Sequence, residues 1–193
     1  MSKHKIIIFP TDTVYGIGTN IDDQESLNKI FKIKNRSLEK AIVILFYSLE
    51  QMKDIVILNP QVRTIVDIFW PGALTLIVPT KLKYYQKTNE KKIGIRIPNH
   101  QLALKILKFK GPMRTTSVNQ SGEPPLNDYY QILKQYRHKV DYIYTDKKFV
   151  STSTLPSTVI DTTCKPWKML REGKISLEQI NKILTNVNLE FCF

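Results

Sequence analysis

The chain has 193 residues, of which 42% are hydrophobic and 24% charged, enough apolar material for a packed core and too much for a disordered tail. Lys and Arg number 29 against 17 Asp and Glu, a formal net charge of +12, and a field of that sign attracts anionic partners without choosing between ATP and RNA. Two isolated cysteines exclude a disulfide framework and a thiolate metal site and fit a reducing, cytoplasmic setting, while no apolar run approaches the roughly 20 residues of a membrane span.

The apolar run at residues 6–9 is too short for a signal sequence and predicts a buried first strand. Asp22-Asp-Gln-Glu25 resembles a capping box, and Leu27, Ile30 and Phe31 follow at helical spacing, so a helix is expected to fray near Lys34-Asn-Arg36. Residues 42–46 predict a second buried strand. Asn59-Pro60 opens a helix with Val62, Ile65, Val66 and Phe69 on one face, which Trp70-Pro-Gly72 ends. Strands are expected at 73–78 and 93–97. Between them Lys81, Lys83, Lys87, Lys91 and Lys92, interspersed with Tyr84, Tyr85 and Glu90, read as an ordered but mobile loop that could close over a cleft.

Asn99 is expected to cap a short helix through 107, and 113–117 to form a strand running into a turn-rich segment. Asn127 is expected to cap a helix to about Tyr136, followed by strands at 140–144, 158–161 and 168–170. Ser176-Leu-Glu-Gln179 is another capping box and opens a last helix through 184. No repeat or composition break marks a second domain. Residues 1–193 are therefore expected to form one α/β domain with a mixed, partly antiparallel sheet.

Several segments place small hydroxyl residues, Gly or cations at strand ends. In Pro10-Thr-Asp-Thr-Val-Tyr-Gly16 the hydroxyls of Thr11 and Thr13 can face a ligand, or the segment is a turn in which Asp12 bonds local backbone. Lys34 and Arg36, in a loop, can converge on one phosphate, or complement the negative end of the helix dipole. Alternation puts Thr115, Ser117 and Asn119 on one side of a strand and Thr116 on the other, a polar wall or a water-facing edge. Arg96, inside an apolar strand, needs a carboxylate or phosphate partner, which an internal salt bridge satisfies equally well. There is no GxxxxGK[ST] or GxGxxG loop, His4 sits at the terminus, His100 and His138 are expected on exposed helices, and no nucleophile–histidine pair suggests itself. Any chemistry must come from positioning and electrostatics.

Taken in order, Pro10-Thr-Asp-Thr-Val-Tyr-Gly16, Lys34-Asn-Arg36 with Lys40, Phe69-Trp-Pro-Gly-Ala-Leu-Thr-Leu-Ile-Val-Pro79, Ile93-Gly-Ile-Arg-Ile-Pro98, Thr116-Ser-Val-Asn-Gln-Ser-Gly-Glu-Pro-Pro125, Ser157-Thr-Val-Ile-Asp161 and Leu170-Arg-Glu-Gly173 resemble the YrdC/Sua5 family of threonylcarbamoyl-AMP synthases. The resemblance implies a YrdC-like fold with helices flanking a mixed sheet around a basic cleft. It implies a reaction of L-threonine, bicarbonate and ATP giving threonylcarbamoyl-adenylate and pyrophosphate, for modification of adenosine 37 in tRNA. Mg²⁺ is expected to be held mainly by the phosphates, with no protein metal site. Helper proteins of a threonylcarbamoyl-transferase complex would then act on tRNA.

By the same matching, Lys34, Arg36, Ser117 and Asn119 handle the ATP phosphates. Lys40, Val118 (through its backbone) and Arg171 line the nucleotide pocket, and Thr13, Arg96, Thr116 and Ser157 contact threonine. Three departures from the family pattern stand out: no amphipathic helix precedes the first strand, Leu45 replaces a histidine present in some relatives, and Val118 replaces the commoner alanine. With no second domain, the chain resembles the short type. Two other readings remain open from the residues: a double-stranded RNA or ribosome-associated binding module without catalysis, and a carbamoyl-transferring domain.

Overall fold

The structure, a computed structural model, describes residues 5–37, 42–146, 155–186 and 191–192. The first apolar run is β1 (Ile7–Phe9), and β2 (Gly16–Asn20) returns antiparallel beside it. Then come α1 (Gln24–Ile33), β3 (Val43–Leu45), a 3₁₀ turn at Leu49–Met52, α2 (Pro60–Phe69), β4 (Leu74–Pro79), α3 (Leu82–Thr88) and β5 (Lys92–Arg96). The second half holds α4 (Gln101–Lys110), β6 (Met113–Ser117), α5 (Tyr129–Tyr136), β7 (Tyr142–Ile143), β8 (Thr158–Asp161), β9 (Trp167–Arg171), α6 (Leu177–Asn186) and β10 (Phe191–Cys192). The ten strands form one sheet in the order β10-β9-β8-β4-β5-β3-β6-β2-β1-β7. Parallel pairs (β3 with β5, β4 with β8) alternate with antiparallel ones, so the sheet is mixed as the irregular strand spacing led one to expect.

Alternation along each strand decides where the open surface lies. Ile44, Ile93, Ile95, Leu74, Leu76, Val78 and Ile160 point to one face and are buried against Val62, Ile65 and Val66 of α2. In the first half of the sheet, Ile6, Ile8 and Ile17 meet Ile30 of α1 and Ile132 of α5, while Ile7 and Phe9 turn the other way to meet α4. The residues between the large apolar ones are Val43, Thr75, Ile77, Gly94, Thr115 and Val159. They stand on the opposite face and line a cavity instead of a core.

Helix starts follow side-chain acceptors, and several differ by a residue from the sequence expectation. Asp23, not Asp22, caps α1, because its carboxylate also takes the Thr19 hydroxyl (3.2 Å) while accepting from Ser26 N (3.0 Å). His100, not Asn99, caps α4 through Nδ1, which accepts from Ala103 N; the histidine expected on the surface is therefore buried. His138 is exposed as expected, and His4 lies outside the described residues. Asp128 caps α5, while Asn127 accepts instead from Tyr15 N. The helix start at Asn59-Pro60 and the capping box at Ser176 with Gln179 form as read.

β2 was not expected, since Gly16-Ile-Gly-Thr-Asn20 has one apolar residue. It is a central strand because its glycines let β6 approach: a Cβ on Gly18 would stand 2.6 Å from the Thr115 hydroxyl and 2.8 Å from Arg114 O. The lysine-rich segment expected to be a mobile loop is α3. It is anchored by Arg114, whose guanidinium donates to both Glu90 oxygens (2.9 and 2.5 Å) and to the Tyr84 hydroxyl (3.0 Å), and by Lys87 on Asp22. None of residues 81–92 lines that cavity, so α3 does not cover it. Arg114→Leu should cost about 2–4 kcal/mol in urea unfolding, because it takes the cation from the partly buried Glu90 carboxylate and a donor from the Tyr84 hydroxyl.

Candidate active site

A cavity of about 310 Å³ opens over the part of the sheet face opposite α2 that α4 leaves uncovered. Its floor runs across the strands as Val43 (β3), Gly94 (β5) and Ile77 (β4), with Arg96 and Thr75 in the next row and Val159 beyond them. Gly94 is the low point: a Cβ there would meet Val43 and Thr75 at 3.5 and 3.6 Å, ordinary contact distances, but would take up floor space. The loop after β1 supplies Thr11 and Thr13, the end of β6 supplies Thr116 and Ser117, and Pro156, Ser157, Leu170 and Arg171 close the far wall. Arg36 enters from the segment after α1.

Three of the lining residues are guanidinium groups and none is a carboxylate. Arg96 is buried and held on three sides: Nη2 donates to Asp12 (2.5 Å), Nη1 to the Thr13 hydroxyl (2.9 Å) and Nε to Gly72 O (2.8 Å). Of the two partners the sequence left open, the internal carboxylate is the one present. Asp12 therefore turns to Arg96 rather than to local backbone, and Lys174 donates to its carbonyl (2.7 Å). Thr11 donates to Val14 O (2.7 Å) and lies 3.1 Å from the Thr13 hydroxyl. On the far wall Arg171 donates through Nε to Ser157 O (3.0 Å) and through Nη2 to its hydroxyl (3.3 Å), which also pairs with Thr75 (2.8 Å).

Burial lowers the pKa of all three arginines. Asp12 opposes that shift at Arg96, while at Arg171 the positive charges of Arg96 and Arg36 add to it. The site thus concentrates like charge in a partly desolvated space, an arrangement that an anion relieves.

Lys34 sits elsewhere than its expected place on a phosphate. It does not line the cavity; its side chain is 1% exposed, and Nζ donates to Ser117 O (2.5 Å), Asn119 O (2.7 Å) and Asn119 Oδ1 (2.8 Å). Three protons meet three acceptors, so none is left over. Its backbone reinforces the clasp, since Ser121 N donates to Lys34 O (2.9 Å). Burial first, then the Arg36 charge, push the ammonium down to about 8. Asn119 stands behind Ser117 and is also outside the lining. Val118 is likewise not a pocket residue: its N–H donates to Tyr15 O, its carbonyl accepts from Leu126 N, and its side chain is in the core. Lys40 lies outside the described residues.

Of the expected residues, then, Thr13, Arg36, Arg96, Thr116, Ser117, Ser157 and Arg171 are brought together around one space. Val43, Thr75, Ile77, Gly94, Val159 and Leu170 were missed. Their signal was available as the half of each strand's alternation that faces away from α2, but sequence alone does not say where that face is left uncovered.

The Sua5/YciO/YrdC family model, described as telomere recombination, matches residues 1–173. The chain belongs to this family. A threonylcarbamoyl-AMP synthase of Pyrococcus abyssi is 30% identical over 190 residues, which are 96% of this chain and 55% of that protein. This chain thus spans about half the length of that relative. A threonylcarbamoyl-AMP synthase of Vibrio parahaemolyticus is 28% identical over 179 residues, 90% of this chain and 95% of its own. Among solved structures, P. abyssi Sua5 complexed with L-threonine superimposes with a TM-score of 0.84 at 30% identity, covering 93% of this chain and 54% of that one. The mixed sheet with flanking helices is the fold of this family.

Two expectations follow. Asp12→Ala leaves the Arg96 guanidinium buried without its carboxylate and should lower unfolding stability by about 3–5 kcal/mol. For Lys34, the folded pKa of about 8 lies below the ordinary 10.5. The unfolded chain therefore binds the extra proton between those values, and this group's contribution to stability rises with pH across that window. The stability difference between wild type and Lys34→Met, followed by urea unfolding, should shift in favour of the wild type as pH increases through it.

Proposed function

We propose that this chain is a threonylcarbamoyl-AMP synthase, which joins L-threonine, bicarbonate and ATP and releases pyrophosphate. The observation that carries the reading is the cavity wall: three guanidinium groups, several hydroxyls and no carboxylate, on the fold of a family whose members include named threonylcarbamoyl-AMP synthases. Such a wall suits a polyanion together with a small amino acid.

In this reading the threonine amine attacks the bicarbonate carbon and water leaves, giving a carbamate whose oxygen attacks the α-phosphorus as pyrophosphate leaves. The protein needs no covalent nucleophile for this. Holding the three reactants in line is worth on the order of 7–11 kcal/mol. Arg36 and Arg171 face the phosphates and neutralise charge building on the leaving pyrophosphate. Arg96, Thr13, Thr116 and Ser157 surround the amino acid. Lys34 contributes through the turn it holds rather than by a contact to phosphate. Mg²⁺ would arrive as the counter-ion of ATP, since the described cavity lining offers it no carboxylate and Asp12 is committed to Arg96. The adenylate would pass, in the cytoplasm, to a transferase complex acting on tRNA. No described helix is long and apolar enough to cross a membrane.

With ATP, Mg²⁺ and bicarbonate, L-threonine should elicit pyrophosphate release, and Arg36→Ala or Arg171→Ala should slow it by about 10²–10³-fold. Release with serine or with no amino acid, but none with threonine, would reject the substrate. A double-stranded RNA-binding module without catalysis would release none, and the same variants would only weaken RNA binding and flatten its salt dependence.

A further inference from the structure

The proton positions around Ser117 follow from which neighbours can only give and which can only receive. An ammonium has no acceptor, so the Asn119 atom 2.8 Å from Lys34 Nζ must be the amide oxygen. The other end of that amide lies 2.6 Å from Glu123 O, a carbonyl that can only accept, which requires the NH₂ there and fixes the same orientation independently. The Ser117 hydroxyl stands 2.7 Å from this amide oxygen, so it must be the donor. Its one proton points away from the cavity. Ser117 nonetheless lines the cavity, and with its proton spent on Asn119 its hydroxyl has only lone pairs left to offer there.

A phosphate oxygen only accepts, and it cannot use such a group without breaking the bond to Asn119. An amino group can. We propose that Lys34, acting through Asn119, sets the Ser117 hydroxyl as a hydrogen-bond acceptor for the α-amino group of the amino-acid substrate, and that Ser117 does not bind phosphate. Lys34 is a positioning residue in this assignment. The inference rests on the cavity being the amino-acid and ATP site, and it changes which substrate Ser117 serves. The three guanidinium groups around the cavity disfavour a charged ammonium in it. The amine they favour is neutral, still has N–H groups to donate to Ser117 Oγ, and keeps the lone pair that carbamate formation needs.

The test is calorimetric binding of three metal-free probes, L-threonine, 3-hydroxybutanoate (threonine without its amine) and pyrophosphate. Ser117→Ala should weaken L-threonine about tenfold, in line with loss of one good hydrogen bond, and leave the other two probes within about twofold. Lys34→Met should produce a similar threonine-specific loss alone and no further loss when added to Ser117→Ala, a non-additivity that general destabilisation does not give. If Lys34→Met does not fold, the Ser117→Ala comparison between threonine and its deaminated analogue decides by itself. Equal weakening of threonine and 3-hydroxybutanoate, or weakened pyrophosphate with threonine unchanged, overturns the acceptor assignment while leaving the functional reading standing. Failure of the wild type to bind threonine at all overturns both.

Discussion

One ammonium group, almost wholly removed from water, ties the end of α1 to the end of β6. Lys34 is 83 residues from Ser117, and the two carbonyls and one amide oxygen it gathers lie where the chain leaves the sheet for the turn before Leu126. A buried cation of this kind is costly unless every proton has an acceptor. Here each has one, and the order of the turn depends on it: Ser117 bonds Asn119, Asn119 bonds Glu123, and Ser121 bonds the Lys34 carbonyl. Removing Lys34 would release several groups together, and the wall carrying Ser117 would lose its fixed geometry.

The second constraint is the division of the sheet into two unequal faces. The strands put Ile44, Ile95, Leu76 and Ile160 on one side and Val43, Arg96, Thr75 and Val159 on the other. α2 covers the large apolar residues. α4 reaches only the Leu45 and Met113 end of the opposite face, leaving the middle open. Leu45, where a histidine was noted in some relatives, lies at the boundary and belongs both to the α4 core and to the cavity lining. A site built on a sheet in this way has its floor fixed by strand pairing.

Much of this was legible in the sequence. Apolar runs marked β1, β3 and β4, and alternate isoleucines marked β5, because each strand turns one apolar face onto a helix and the cavity-facing Val43 and Ile77 are apolar as well. Asn59-Pro60 and the box at Ser176 marked helix starts because a local acceptor suffices there. What was not legible depended on distant partners. Asp22 and Asp23 are equivalent caps until Thr19 selects one. The lysines of α3 looked like a loop because its single buried anchor, Tyr84, pairs with Arg114, 30 residues away. Seven of the eleven candidate site residues do surround one cavity. The displaced ones are informative: Lys34 and Asn119 carry charge and amide chemistry suited to phosphate, but their hydrogen-bonding capacity is used inside the protein, which composition cannot disclose.

The arginines show how the site avoids neutralising itself. A basic cavity could be stabilised by placing carboxylates among its cations, at the expense of affinity for an anion. Arg96, which is buried, has its carboxylate partner in Asp12. Asp12 sits behind it, outside the lining, so the carboxylate stabilises the deep cation without facing the ligand. Arg171 is oriented instead by neutral groups, the carbonyl and hydroxyl of Ser157, which fix its plane and leave its charge uncompensated. Positioning and field strength are thereby supplied by different partners. The same separation holds at Ser117, where the cation that orders the turn is kept out of the cavity and the residue lining it is uncharged.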